Sequence, residues 1–206
     1  MSRVVTQAVV LGVALATAAV GLAGCGGGGG DGAADGPTAT VPTTPPDPYA
    51  VPAVIDEAYV NRVLAALDAA TGDVVRIVVS TRTLTPEAIE RLQALYVGDA
   101  LNSRFNVFQN DIFNGLSGYK TTPGNKRTTV AELITATRSC VFAKVSRDFS
   151  AVTDAPDARL SIQWIALIPR TSPQDPESYN PTAWVFSYDG FPLDGSEPSN
   201  PCVGTS

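Results

Sequence analysis

Apolar residues recur along this chain in two rhythms, and the change from one to the other falls between Gly115 and Gly124. Upstream the rhythm is helical. Asp56 stands where an N-cap belongs, ahead of Tyr59, Val60, Val63, Leu64 and Leu67 at three- and four-residue steps, and Gly72 is placed to end that helix. Thr85-Pro86-Glu87 is a second start signal: a cap, a proline at the first helical position and an acid in the first turn. Ile89, Leu92 and Tyr96 form its inward stripe, and Leu101, Phe105, Phe108 and Ile112 carry a helical pattern over 99–116. Between these segments, 73–82 is ambiguous. Val74, Val75, Ile77, Val78 and Val79 favour a strand by propensity, yet Val74, Val75 and Val78 also fit a helical face capped by Asp73.

Downstream the period is two. Leu160, Ile162, Trp164, Ala166 and Ile168 alternate with Arg159, Ser161 and Gln163, and Trp184, Phe186 and Tyr188 alternate within 183–191. Segments 128–137 and 139–147 read as two further strands whose apolar parity shifts, which predicts a bulge or break. A run of helices followed by a run of strands predicts an α+β domain, with N-terminal helices packed on one face of a curved antiparallel sheet.

The first 50 residues follow neither rhythm. Val4 to Ala23 is an uncharged stretch of 20 residues behind Arg3, just long enough to span a bilayer as a helix. Its Gly/Ala-rich end and the sequence Leu22-Ala23-Gly24-Cys25 argue instead for cleavage. That tetrapeptide resembles the lipobox of bacterial lipoproteins, in which the cysteine thiol is joined to a diacylglycerol and the preceding peptide is cut away. The resemblance implies a signal peptide at 1–24, Cys25 as the lipidated N-terminus, and a protein anchored on the extracytoplasmic face of the cell membrane. Two or three acyl chains suffice for stable anchoring, at about 0.8 kcal/mol per buried methylene. Residues 25–50 form a tether: a glycine coil, then five prolines from Pro37 to Pro48, with a reach of roughly 50 Å. The domain then covers 51–192, and 193–206 is a Pro/Gly/Ser-rich tail.

The order of elements resembles the nuclear transport factor 2-like, or SnoaL-like, cone fold over 54–192: an opening helix, the Gly72-Asp73 step, a second helical block and four antiparallel strands. Lipobox, glycine tether and such a domain together resemble lipoproteins of unknown function from high-GC actinobacteria. The resemblance implies an apolar pocket between helices and concave sheet, and a helical 73–82.

Charge and chemistry narrow the function classes. Loss of Arg3 with the signal leaves 13 cations against 20 acids, a net of −7, with Lys and Arg scattered singly. Nucleic acid is therefore a poor partner. The one basic pair, Lys126-Arg127, reads as a solvated loop tip. With no histidine in the chain, Ser-His-Asp and Cys-His catalysis are excluded and the commonest transition-metal ligand is missing. Once Cys25 is lipidated, Cys140 and Cys202 remain as an even pair, and an oxidising compartment makes a disulfide the default over a reactive thiol. Such a bridge ties the tail back to the domain.

Asp148, Asp154 and Asp157 read as a solvated turn rather than a calcium site, and Glu132 and Asp148 are the nearest candidates for a SnoaL-like catalytic acid. No catalytic residue, metal site or cofactor is assigned. Trp164, Trp184, Phe186 and Tyr188 either line a pocket or fill the core. The expected function is a non-catalytic module that binds a small apolar ligand or an envelope partner. The alternatives are an accessory subunit docking another envelope protein through its concave sheet and, less favoured, a SnoaL-like enzyme.

Overall fold

A side-chain cap opens the first helix, as the sequence predicts. In the computed structural model, which describes residues 50–155, 161–171, 179–191 and 196–203, Asp56 is extended and accepts a 2.7 Å hydrogen bond from the Tyr59 amide. The lipobox with Cys25, the tether, Asp157 and Leu160 lie outside the described residues.

Helix α1 runs Glu57–Thr81, so Gly72 does not end it and 73–82 is not a strand. Phase explains the correction. Val60, Val63, Leu64, Leu67, Thr71, Val74, Val75 and Val78 are all buried, and their three- and four-residue steps continue through Gly72 without a slip. Each valine costs only about half a kcal/mol of helix propensity, whereas its burial contributes roughly 1.5 kcal/mol or more. Gly72 has a different use. A Cβ there would lie 2.0 Å from Asn125 Oδ1, so the missing side chain makes room for the segment that enters the sheet. The helix stops at Arg82, in the left-handed region at φ 56°, whose amide returns to the Val78 carbonyl at 2.8 Å.

Helix α2, Pro86–Leu95, has Thr85 as its cap, accepting from the Ala88 amide at 3.2 Å. Its buried stripe is Ala88, Leu92 and Leu95, continued by Tyr96, with Ile89 half-buried beside it. Tyr96 and Val97 leave the helix in extended conformation, and the Val97 amide donates to the Phe186 carbonyl at 2.9 Å. Helix α3, Gly98–Phe113, then presents Phe108 to the core, with Leu101, Phe105 and Ile112 against it.

Four strands follow, β1 (Arg127–Ala136), β2 (Val141–Asp148), β3 (Ser161–Pro169) and β4 (Trp184–Gly190), in sheet order β1-β2-β3-β4 with every pair antiparallel. The expected parity shift is real and sits inside β1, where two register shifts fall at Val130/Glu132 and Leu133/Thr135. On β3 the inward set is Gln163, Ile165 and Leu167, not the Ile162-Trp164-Ala166-Ile168 set the alternation suggested. Both sets are apolar enough to be buried, and the helices cover the first. A further shift between Ala166 and Leu167 leaves Ser187 as an extra residue on β4. It turns Tyr188 to the outer face and Asp189 to the inner one, so Tyr188 does not share a face with Trp184 and Phe186.

The main core lies between the helices and the inner face of the sheet. A smaller cluster sits on the outer face: Cys140, Phe142, Ala166 and Cys202, with Trp164, Ile168 and Tyr188 packed against it. The Cys140–Cys202 disulfide, 62 residues apart in sequence, holds it together.

Candidate functional site

The four aromatic residues expected at a pocket split between the two faces. Trp184 is fully buried under the helices, its indole nitrogen donating to the Tyr59 hydroxyl at 2.7 Å, and Phe186 stacks on Tyr96 with ring centroids 5.0 Å apart. Trp164 stacks on Phe142 at 5.5 Å on the outer face, beside Tyr188. Glu132 is exposed on β1, and Asp148 accepts from the Ser150 amide at 2.8 Å at the end of β2.

The interior instead gathers ionisable groups that no sequence motif announces. Asp68 on α1 accepts from the Thr128 amide at 2.6 Å and from its hydroxyl at 2.9 Å. Lys126 Nζ lies 3.7 Å from the same carboxylate, with both side chains nearly inaccessible. Lys126 is therefore not part of a solvated loop tip: it is buried, while its neighbour Arg127 is exposed. Arg147 on β2 has no exposed surface; its Nη1 donates to Gln163 Oε1 at 2.5 Å and to Asp189 Oδ1, and its Nε to the Thr128 hydroxyl at 3.3 Å. The second oxygen of Asp189 receives Arg104 from α3, through Nε at 3.1 Å and through Nη2. One carboxylate thus bridges two guanidiniums, and Thr128 links that bridge to Asp68.

The electrostatics follow from burial. Arg104, Arg147 and Lys126 outweigh the desolvation of Asp189 and hold its carboxyl well below the usual carboxylate range. Asp68 moves the other way, because loss of water costs its charge more than Lys126 and Thr128 return. Burial, helped by the nearby positive Arg147, pulls the Lys126 ammonium down to about 7. Tyr119, burying its ring and donating to Asp111 Oδ2 at 2.7 Å, is pushed up.

Against this cluster lies a cavity of about 70 Å³ between α1, α3 and the segments flanking β1 and β2. Val75, Val107, Phe108, Phe149 and Val152 supply its apolar wall. Thr71, Arg104, Tyr119 and Lys126 supply its polar wall, and Gly72 leaves part of it as bare backbone. None of Trp164, Trp184, Phe186 and Tyr188 is among its lining residues. A second hollow of about 170 Å³, lined by Gln93, Val97, Ile168, Arg170 and Val185 among others, lies where α2 ends beside the sheet. It includes none of the buried ionisable groups.

Part of this site was visible as pattern. Arg147 continues the inward alternation of Val141, Ala143 and Val145, Asp68 falls in the stripe of Leu64 and Thr71, and Arg104 sits beside Phe105 and Phe108. A charged residue in phase with a buried stripe is the signal. Asp189 carries none, because a bulge decides its face.

Among the described residues no group of three or more His, Cys, Asp or Glu side chains is placed to hold a metal ion, and no helix is long and apolar enough to cross a membrane. Comparison with family models, with curated proteins and with solved structures finds no match to this chain.

Proposed function

We propose that this protein is a lipid-anchored module on the extracytoplasmic face of the membrane, and that its cone-like, nuclear transport factor 2-like domain binds a small ligand without transforming it. The observation that carries the ligand half is the cavity, with five apolar side chains on one wall and a few convergent polar groups on the other. Both buried acids among the described residues, Asp68 and Asp189, face cations. Each is thereby committed to structure rather than to moving a substrate proton, which favours binding over catalysis. The anchor half rests on Leu22-Ala23-Gly24-Cys25 and gains support from the Cys140–Cys202 bridge, since disulfides persist in oxidising compartments.

Two measurements test the reading. Native mass spectrometry of the protein extracted from its own envelope is expected to show a retained small molecule. A co-purifying protein in its place would favour the docking alternative. Membrane fractionation of Cys25→Ala is expected to find it released or uncut, and a variant that fractionates and migrates like the parent would refute the anchor.

A further inference from the structure

The buried cluster carries a charge imbalance that its own residues do not cancel. Lys126 and Asp68, 3.7 Å apart, form a pair that is neutral overall while Lys126 keeps its proton and Asp68 is ionised. What remains is two guanidiniums, Arg104 and Arg147, against the single carboxylate of Asp189. Arginine keeps its proton at any ordinary pH, so one positive charge is left over. The geometry of the hydrogen bonds repeats the imbalance. Arg147 Nη1 and Nε are engaged, but its Nη2, fully buried, has no hydrogen-bond partner. A buried donor in that condition costs about 1–3 kcal/mol, more when charged, unless something meets it. Asp111, one turn beyond Phe108 on α3, accepts the hydroxyl of the lining residue Tyr119 while remaining partly exposed.

We infer that the ligand of this cavity carries a carboxylate, received by Arg104 and Lys126 on the polar wall with the surplus charge of Arg147 behind them, while its short hydrocarbon part lies against Val75, Val107 and Phe108. The inference rests on the small-ligand reading above and names the class of that ligand. A cavity of about 70 Å³ is roughly half the ~150 Å³ that accommodates benzene. The fitting class is therefore a monocarboxylate of about three or four heavy atoms, the size of acetate. A neutral isostere forfeits the charge-assisted hydrogen bonds, which are roughly twice as strong as neutral ones, and leaves the surplus charge unmet.

The test uses the full chain in detergent micelles at about pH 6, titrated at constant ionic strength with sodium acetate, acetamide or ethylamine hydrochloride, with calorimetry and the melting temperature as readouts. Acetate is expected to bind saturably and raise the melting temperature. The amide is expected to bind at least about tenfold more weakly, and the amine not at all. Lys126→Gln should weaken acetate by about tenfold. Val107→Trp, which fills the cavity from a position 40% exposed and leaves every charged group in place, should abolish binding. Equal affinity for amide and carboxylate overturns the inference and leaves the small-ligand reading intact. Undiminished acetate binding by Val107→Trp, or the same saturable response to sodium chloride alone, overturns it as well. If none of the three probes binds, the inference fails, and absence of a retained small molecule from the native protein would then take the broader reading with it.

Discussion

On the inner face of the sheet three helices cover Val141, Ala143, Val145, Ile165, Leu167, Trp184 and Phe186, and with them a set of buried charges. On the outer face no helix is packed among the described residues; Cys202 reaches Cys140, Phe142 and Ala166 there as part of a Pro/Gly/Ser-rich tail. The inner face has enough apolar area to hold its cover by burial alone, and enough left over to offset the desolvation of Arg147 and Asp189. The tail has few apolar side chains of its own, so a covalent bond supplies what burial does not. Asn200 adds one hydrogen bond, to the Thr135 hydroxyl at 2.8 Å. Thus the stability of one face depends on a charge network staying paired, and that of the other on a redox state.

The comparison breaks most sharply at Asp189. Asp189→Asn leaves the buried guanidinium of Arg147 and the half-buried one of Arg104 without their carboxylate and is expected to cost about 3–5 kcal/mol, read as a lowered urea midpoint. A loss under about 1 kcal/mol would mean that water screens the cluster.

Reduction of the disulfide acts on the other face. For a separation of 62 residues the chain-entropy model allows on the order of 4 kcal/mol, less any native strain. The two tryptophans sit on opposite faces and can be read separately. In Trp184→Phe, which keeps Trp164, reduction should shift the fluorescence to the red. In Trp164→Phe, which keeps Trp184, it should change little below the melting temperature. Equal shifts in both would show that the faces unfold as one.

A smaller effect concerns pH. The folded pKa of Lys126, about 7, lies below its ordinary value of 10.5 because burial and Arg147 oppose its charge. Between those values the unfolded chain binds more protons than the folded one, so this group makes stability rise with pH from about 7 to about 10.5. Its penalty is fully present below pH 7. Lys126→Met should flatten that rise relative to the parent in denaturant titrations across the window. An unchanged slope would place the ammonium in contact with water. The smallest expected effect is at Glu132, exposed on β1: Glu132→Gln should alter stability by no more than about 0.5 kcal/mol in the same titrations.

Reading the chain as apolar rhythm succeeds where one element decides its own fate. Asp56 and Thr85 cap the helices as their positions predict, because a cap is a contact within one turn. The switch from helices to antiparallel strands is local too, since both periods are set by backbone geometry. Counting rather than geometry pairs Cys140 with Cys202, and the bridge is present.

Sequence pattern and structure part where a choice depends on a neighbour. Gly72 looks like a stop because glycine ends many helices, but α1 continues wherever its stripe stays covered, and coverage comes from β1 and from α2. On β3 two apolar sets compete for the inside, and only the packing of the helices ranks Ile165 and Leu167 above Trp164 and Ile168. Lys126 lay in a polar, glycine-bearing stretch and looked solvated, whereas the adjacent strand carries it beside Asp68. Asp189 is the extreme case. One extra residue at Ser187 turns it inward, to meet Arg104 from 85 residues earlier and Arg147 from 42 residues earlier. Sequence by itself determined the caps, the two rhythms, the α+β class and the cysteine pair, all of which follow from short-range geometry or residue counts. Which face each strand buries, and which charges meet inside, only the tertiary structure decided, because burial and ion pairing are properties of surfaces that exist once distant segments come together.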